Sequence, residues 1–116
     1  MSPRLSVGVA VMVAILSGGV VWADGLIGNA EMGESVYRTN CFNCHGATGR
    51  GDGPVADSLT PRPADLTTEI VQKKTEEELL KIIRDGKQGT SMPSWKGDLS
   101  DQNLQDVLAY LRGFGR

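Results

Sequence analysis

Apolar residues fall at helical spacing in three separate stretches of the chain, and at the N-terminus they run together without a period. Between Asn29 and Thr39, Met32, Val36 and Tyr37 share one face, with Gly33 four residues before Tyr37 on nearly the same side. That pattern predicts a short amphipathic helix. Thr75-Glu76-Glu77-Glu78 reads as a capping box, Thr75 as N-cap and Glu78 three residues on, opening a second helix whose stripe is Leu79, Ile82 and Ile83. Gly86 is its expected stop. The three glutamates suit the positive end of the helix dipole, which accounts for them without a docking role. Leu104, Val107, Leu108 and Leu111 keep the i, i+3, i+4, i+7 spacing. They predict a third helix capped by Ser100, stapled by Leu99 against Leu104, and ending near Gly113. From Gly46 to Leu66 the chain is instead rich in Gly, Pro and Asp and predicts an ordered loop, held against the edge of a bound group. No stretch of the mature chain reads convincingly as a strand, so the fold class expected is all-α, with three or four short helices around a flat cofactor.

The aperiodic run is of a different kind. Met1 to Arg4 is a short basic start, Leu5 to Ala23 is 19 residues without a charge, and Val21-Trp22-Ala23 offers small residues where a signal peptidase reads them. A run of that length can also cross a bilayer as a retained anchor. Five of its residues are Gly or Ser and the processing site is well formed. Residues 1–23 are therefore expected to be an export signal and 24–116 the mature domain, periplasmic, with membrane attachment only if the leader is kept or through a membrane complex. Residues 24–116 are 93 in number and carry 11 Lys and Arg against 14 Asp and Glu, a net charge of −3. That balance, with the signs interspersed, argues against nucleic acid as a partner and for a soluble protein. A domain this small buries a modest share of its surface and commonly needs a disulfide, metal or cofactor to complete its core.

Two cysteines and one histidine are the whole complement of the chain, and all three lie in Cys41-Phe42-Asn43-Cys44-His45. C-x-x-C-H is the attachment spacing of a covalent haem. The thiols form thioethers with two porphyrin vinyl groups, and the adjacent imidazole reaches the iron. Other uses of the cluster fit less well. A structural zinc site needs four ligands and this one offers three. A thioredoxin-like pair needs a βαβ setting, and a disulfide across two residues closes too short a loop to stabilise much.

With His45 on one face of the iron, no second histidine is left for the other. Met1 and Met12 belong to the leader, which leaves Met32 and Met92. Met32 is nine residues before Cys41 on the first predicted helix and is poorly placed to cross to the opposite face. Met92 lies in Gly89-Thr90-Ser91-Met92-Pro93-Ser94-Trp95, where Pro93 lacks an amide donor and biases Met92 toward an extended backbone. Met92 is the expected sixth ligand, a thioether that favours the ferrous state and raises the potential.

Gly33, Tyr37, Cys41 to His45, Gly53-Pro54, Met92 and the closing Val107-Leu108-Ala109-Tyr110-Leu111 follow the order of the class I cytochrome c family. The sequence resembles short bacterial mono-haem members over nearly all of the mature chain. The resemblance implies the cytochrome c fold around one haem c, with the first and last helices crossing closely and Gly33 and Tyr37 meeting Leu108, Tyr110 or Leu111. It also implies that the Pro54 carbonyl accepts a hydrogen bond from the second ring nitrogen of His45, fixing the tautomer. Between Pro54 and Met92 the chain is shorter than in the mitochondrial type, so propionate partners do not transfer by position; Arg62 and Trp95 are the candidates. The function expected is a one-electron carrier between redox partner proteins, either free or as a haem subunit of a respiratory complex. Peroxidase or gas-sensing readings need an open iron position and a distal acid or base, and the one histidine is already used.

Overall fold

The computed structural model describes residues 2–4, 8–11 and 27–116. The expected processing site at 21–23, the mature start at Asp24, and Met12 lie outside the described residues. Among the described residues five α-helices follow one another: α1 Ala30–Asn40, α2 Phe42–His45, α3 Glu69–Gln72, α4 Glu76–Asp85 and α5 Asp101–Arg112, with 3-10 turns at Ala56–Ser58 and Gly113–Gly115. No strand occurs among them; Lys96 and Leu99 form an isolated bridge. No helix of the described residues is long and apolar enough to cross a membrane. The all-α class holds, but three or four helices become five, because α2 and α3 are single turns too short to leave a periodic trace.

Each long helix begins where a side chain satisfies its orphan amides. Asn29 accepts from the Met32 amide at 3.0 Å. Thr75 and Glu78 close the expected capping box, the Glu78 amide donating to Thr75 Oγ1 at 3.1 Å and the Thr75 amide to Glu78 Oε2 at 2.7 Å. Ser100 forms the same reciprocal pair with Asn103, which the sequence does not flag because Asn is not the usual third-position partner. The bond from the Thr75 backbone holds the Glu78 carboxyl below its ordinary range. A carboxyl so depressed stabilises the fold above its unfolded pKa, and that contribution is lost as pH falls through the folded value. Glu78→Gln can still accept from the Thr75 amide but does not titrate, so its stability should fall less steeply with acid. Urea unfolding at a series of pH values from about 3 to 6 measures the slope, and a slope equal to the parent's would remove Glu78 from the account.

The crossing of α1 and α5 is closest at Gly33. A Cβ built there would stand 1.9 Å from the Asp106 carbonyl oxygen and 3.0 Å from Tyr110 Cβ. One turn on, Tyr37 is 1% exposed, and its ring centroid lies 5.2 Å from that of Tyr110 and 5.3 Å from that of Phe114. Tyr37, Ile83, Leu104, Val107 and Leu111 form the buried cluster that joins α1, α4 and α5. Tyr110 and Leu111 thus meet α1 as expected, whereas Gly33 abuts the Asp106 backbone. Met32 departs from its expected place on the inner stripe and is 58% exposed. The Asp106 carboxylate is buried, and it accepts from the Asn29 amide and from Gln102 Nε2, each at 2.8 Å. These bonds offset the cost of burying it.

The Gly46–Leu66 loop is ordered, as expected, and backbone bonds tie it to itself and to the 43–45 turn. The Gly51 amide donates to His45 O at 2.9 Å, Gly53 to Cys44 O at 3.1 Å, Val55 to Asn43 O at 3.1 Å and Leu66 to Gly49 O at 2.6 Å. Beyond it, Gln72 Nε2 donates to Leu66 O and Leu111 O, and Arg112 donates to Gln72 O and Lys74 O. The α3 turn is thereby fastened to the end of α5.

Candidate cofactor-attachment site

Cys41 ends α1 and begins α2. Its amide donates to Tyr37 O at 2.8 Å, and its carbonyl accepts from the amides of Cys44 at 3.3 Å and His45 at 2.9 Å. One helical turn therefore presents both thiols and the imidazole. Both thiols are free and half-buried. Burial, then the neighbouring Cys44, pushes the Cys41 thiol up to about 11. No cluster of three or more His, Cys, Asp or Glu suited to a metal ion occurs among the described residues. Tyr37 Oη donates to Gly46 O at 2.5 Å and so ties α1 to the residue after His45.

His45 Nδ1 lies 3.1 Å from the carbonyl oxygen of Ala64. A carbonyl only accepts, so Nδ1 carries the proton and Nε2 keeps its lone pair for a metal. Burial lowers the imidazole pKa, with the Ala64 bond opposing it; the neutral ligand form is favoured. The acceptor expected from the resemblance was Pro54, and this is corrected to Ala64. The bonds from Gly53 and Val55 draw the exposed Pro54 alongside residues 43 and 44. The returning Pro63–Leu66 segment approaches instead, because Gly51, at φ +75°, leaves room: a Cβ there would stand 2.3 Å from Pro63 O and 3.1 Å from Ala64 O. Sequence reasoning missed Ala64 because a backbone carbonyl leaves no mark on residue type, although Pro63-Ala64-Asp65-Leu66 is itself conspicuous.

Met92 and Trp95, from the segment after α4, are half-buried and pack on the same cluster as Cys41, Phe42, Leu66, Leu80 and Leu99. The structure thus brings Met92 and Trp95 onto the same cluster as Cys41, whose turn also carries Cys44 and His45, from two separate parts of the chain. Arg62 is placed elsewhere, exposed and donating to Asp57 Oδ1 at 2.5 Å. The gathered set is a neutral imidazole of fixed tautomer, a thioether, two free thiols one turn apart and an apolar lining.

Such donors fit a flat metal-bearing group tethered at one edge, and with the α1–α5 crossing they define a c-type cytochrome. The chain belongs to the family described as cytochrome c oxidase, cbb3-type, subunit III, whose model matches residues 28–111. The cbb3-type cytochrome c oxidase subunit CcoP of Azospirillum brasilense is 29% identical over 86 residues, 74% of this chain and 28% of that one. The chain therefore spans under a third of the length of this relative. Cytochrome c6 of Leptolyngbya boryana is 32% identical over 83 residues, 72% of this chain and 89% of that one. The solved structure of cytochrome c6 from the diatom Phaeodactylum tricornutum superposes with a TM-score of 0.60 at 26% identity, covering 76% of this chain and 95% of that one. The family and the cytochrome c6 relatives identify the group that the two thiols would tether as haem c.

Proposed function

We propose that this chain is an exported one-electron carrier in which Cys41 and Cys44 tether one haem c, and His45 and Met92 bind its iron from opposite sides. The observation that carries the reading is the bond from His45 Nδ1 to Ala64 O, which leaves Nε2 as the metal-facing nitrogen while Met92 packs on the same cluster as Cys41. When bound, the iron supplies a ferric–ferrous couple whose potential a thioether opposite imidazole raises. Leu66, Leu80, Trp95 and Leu99 exclude water, so the couple works in an apolar setting. Trp95 is the propionate partner we propose from the lining; Arg62 reaches a propionate only by releasing Asp57.

Residues 1–23 act as the export signal in this reading, from their basic start, uncharged run and small residues at the processing site. Partners are a donor and an acceptor protein. Near-complete coverage of cytochrome c6 favours a free carrier, while the partial coverage of CcoP keeps a place within an oxidase as the second reading. Intact mass and native size of the chain, made in a host that matures haem c, test all of this together. Expected are one added haem, loss of the leader and elution as a single small domain. A colourless polypeptide overturns the proposal, and co-elution with a membrane oxidase selects the second reading.

A further inference from the structure

The loop carrying Met92 is fastened to the C-terminal end of α4, where helix carbonyls are left without intrahelical partners. The Trp95 amide donates to Ile83 O at 3.2 Å and the Lys96 amide to Arg84 O at 3.1 Å. Ser94 Oγ donates to Arg84 O at 2.6 Å and accepts from the Lys96 amide at 3.3 Å. On the other shoulder, the Lys87 amide donates to Met92 O at 3.2 Å. Thr90 Oγ1 donates to Lys87 O at 2.6 Å and accepts from the Met92 amide at 3.2 Å. Beneath the loop sits Gly86 at φ +74°, so close that a Cβ would lie 2.7 Å from Pro93 C and Ser94 N and 2.9 Å from Met92 O. Both sides of Met92 are thus pinned by hydroxyls on helix-end and turn carbonyls, over a left-handed glycine.

We propose that Ser94 and Thr90 are positioning residues that make Met92 a slowly exchanging ligand, by holding the 87–96 loop on the end of α4. The inference rests on Met92 ligation as proposed above. A thioether is neutral and carries no hydrogen-bonding proton, so its own orientation is set by the backbone around it. To leave the iron, Met92 must swing with its loop, and each pin raises the cost of that opening. Pro93 donates no amide bond, which concentrates the restraint on the hydroxyls at 90 and 94.

The test is the rate at which exogenous imidazole, at saturating concentration, replaces the sixth ligand of the ferric protein, because that limiting rate reports loop opening. Ser94→Ala and Thr90→Val are each expected to raise it roughly two- to tenfold, the loss of one hydrogen bond, and Ser94→Thr is expected to restore the parent rate. Asn29→Ala removes the N-cap of α1, away from the loop, so it lowers global stability and should leave the rate alone. Parent-like rates in Ser94→Ala and Thr90→Val, or an equal increase in Asn29→Ala, overturn the pinning. Met92→Ala keeps the two failures apart: if it binds imidazole no faster than the parent, the ligation reading has failed and not the pins.

Discussion

Met92→Ala is expected to abolish the weak ferric sulfur-to-iron band at the red end of the visible spectrum and to lower the reduction potential by about 0.1–0.2 V, a fraction of the roughly 0.8 V that axial ligands span. The sign follows from chemistry. A thioether stabilises ferrous iron more than ferric, so removing it costs the reduced state more. Among the described residues neither of the other expected donor types is free to replace it: the single histidine is held by Ala64, and Met32 is 58% exposed on α1. Truncating a half-buried side chain also leaves space that a small ligand can enter. Carbon monoxide should accordingly bind the reduced variant promptly at neutral pH and the parent slowly. Potentiometry, the ferric spectrum and carbon monoxide mixing give three separate measurements. A variant with the parent's spectrum and potential would assign the sixth position to another group.

The long helices and the attachment turn were legible because each leaves a signal in residue type. Periodic apolar residues mark α4 and α5, Thr75 and Glu78 mark a helix start, and C-x-x-C-H is a fixed spacing of rare residues. The parts that sequence did not yield share a cause: they are set by backbone. Any residue at 64 offers the same carbonyl to His45, so the acceptor was assigned to the more conspicuous Pro54. The turns α2 and α3 are shorter than one hydrophobic repeat. Met32 has the spacing of an inner residue on α1, yet the close approach at Gly33 rotates the contact toward Gly33, Val36 and Tyr37 and leaves Met32 in solvent. The Gly46–Leu66 loop is tied down by four amide–carbonyl bonds, three of them to the 43–45 turn, which composition cannot display. Arg62 illustrates the converse limit: a single charge in a loop can answer a propionate or a neighbouring Asp57, and only the folded chain chooses.

Gly33→Ala should destabilise the protein by about 2 kcal/mol, against the sign of helix propensity. In an exposed helix interior the same substitution gains about 1 kcal/mol. At Gly33 the added carbon would sit 1.9 Å from the Asp106 carbonyl oxygen, and no rotamer relieves a clash with backbone. The helices must part, which disturbs the Tyr37, Tyr110 and Phe114 rings and the Asn29 bond to Asp106. Overpacking of this kind costs about 1–3 kcal/mol, and more where backbone has to move, so the packing loss outweighs the propensity gain. The thermal midpoint should fall by about 8–16 °C for a domain of this size. Gly113→Ala is the matched control. It stands at φ −65° with nothing within 4 Å of an added Cβ, and its midpoint should stay at the parent's or rise slightly. Thermal and urea unfolding of the matured proteins decide between the two terms. If Gly33→Ala proves as stable as Gly113→Ala, α1 and α5 separate without cost and the crossing does not set the stability of this fold.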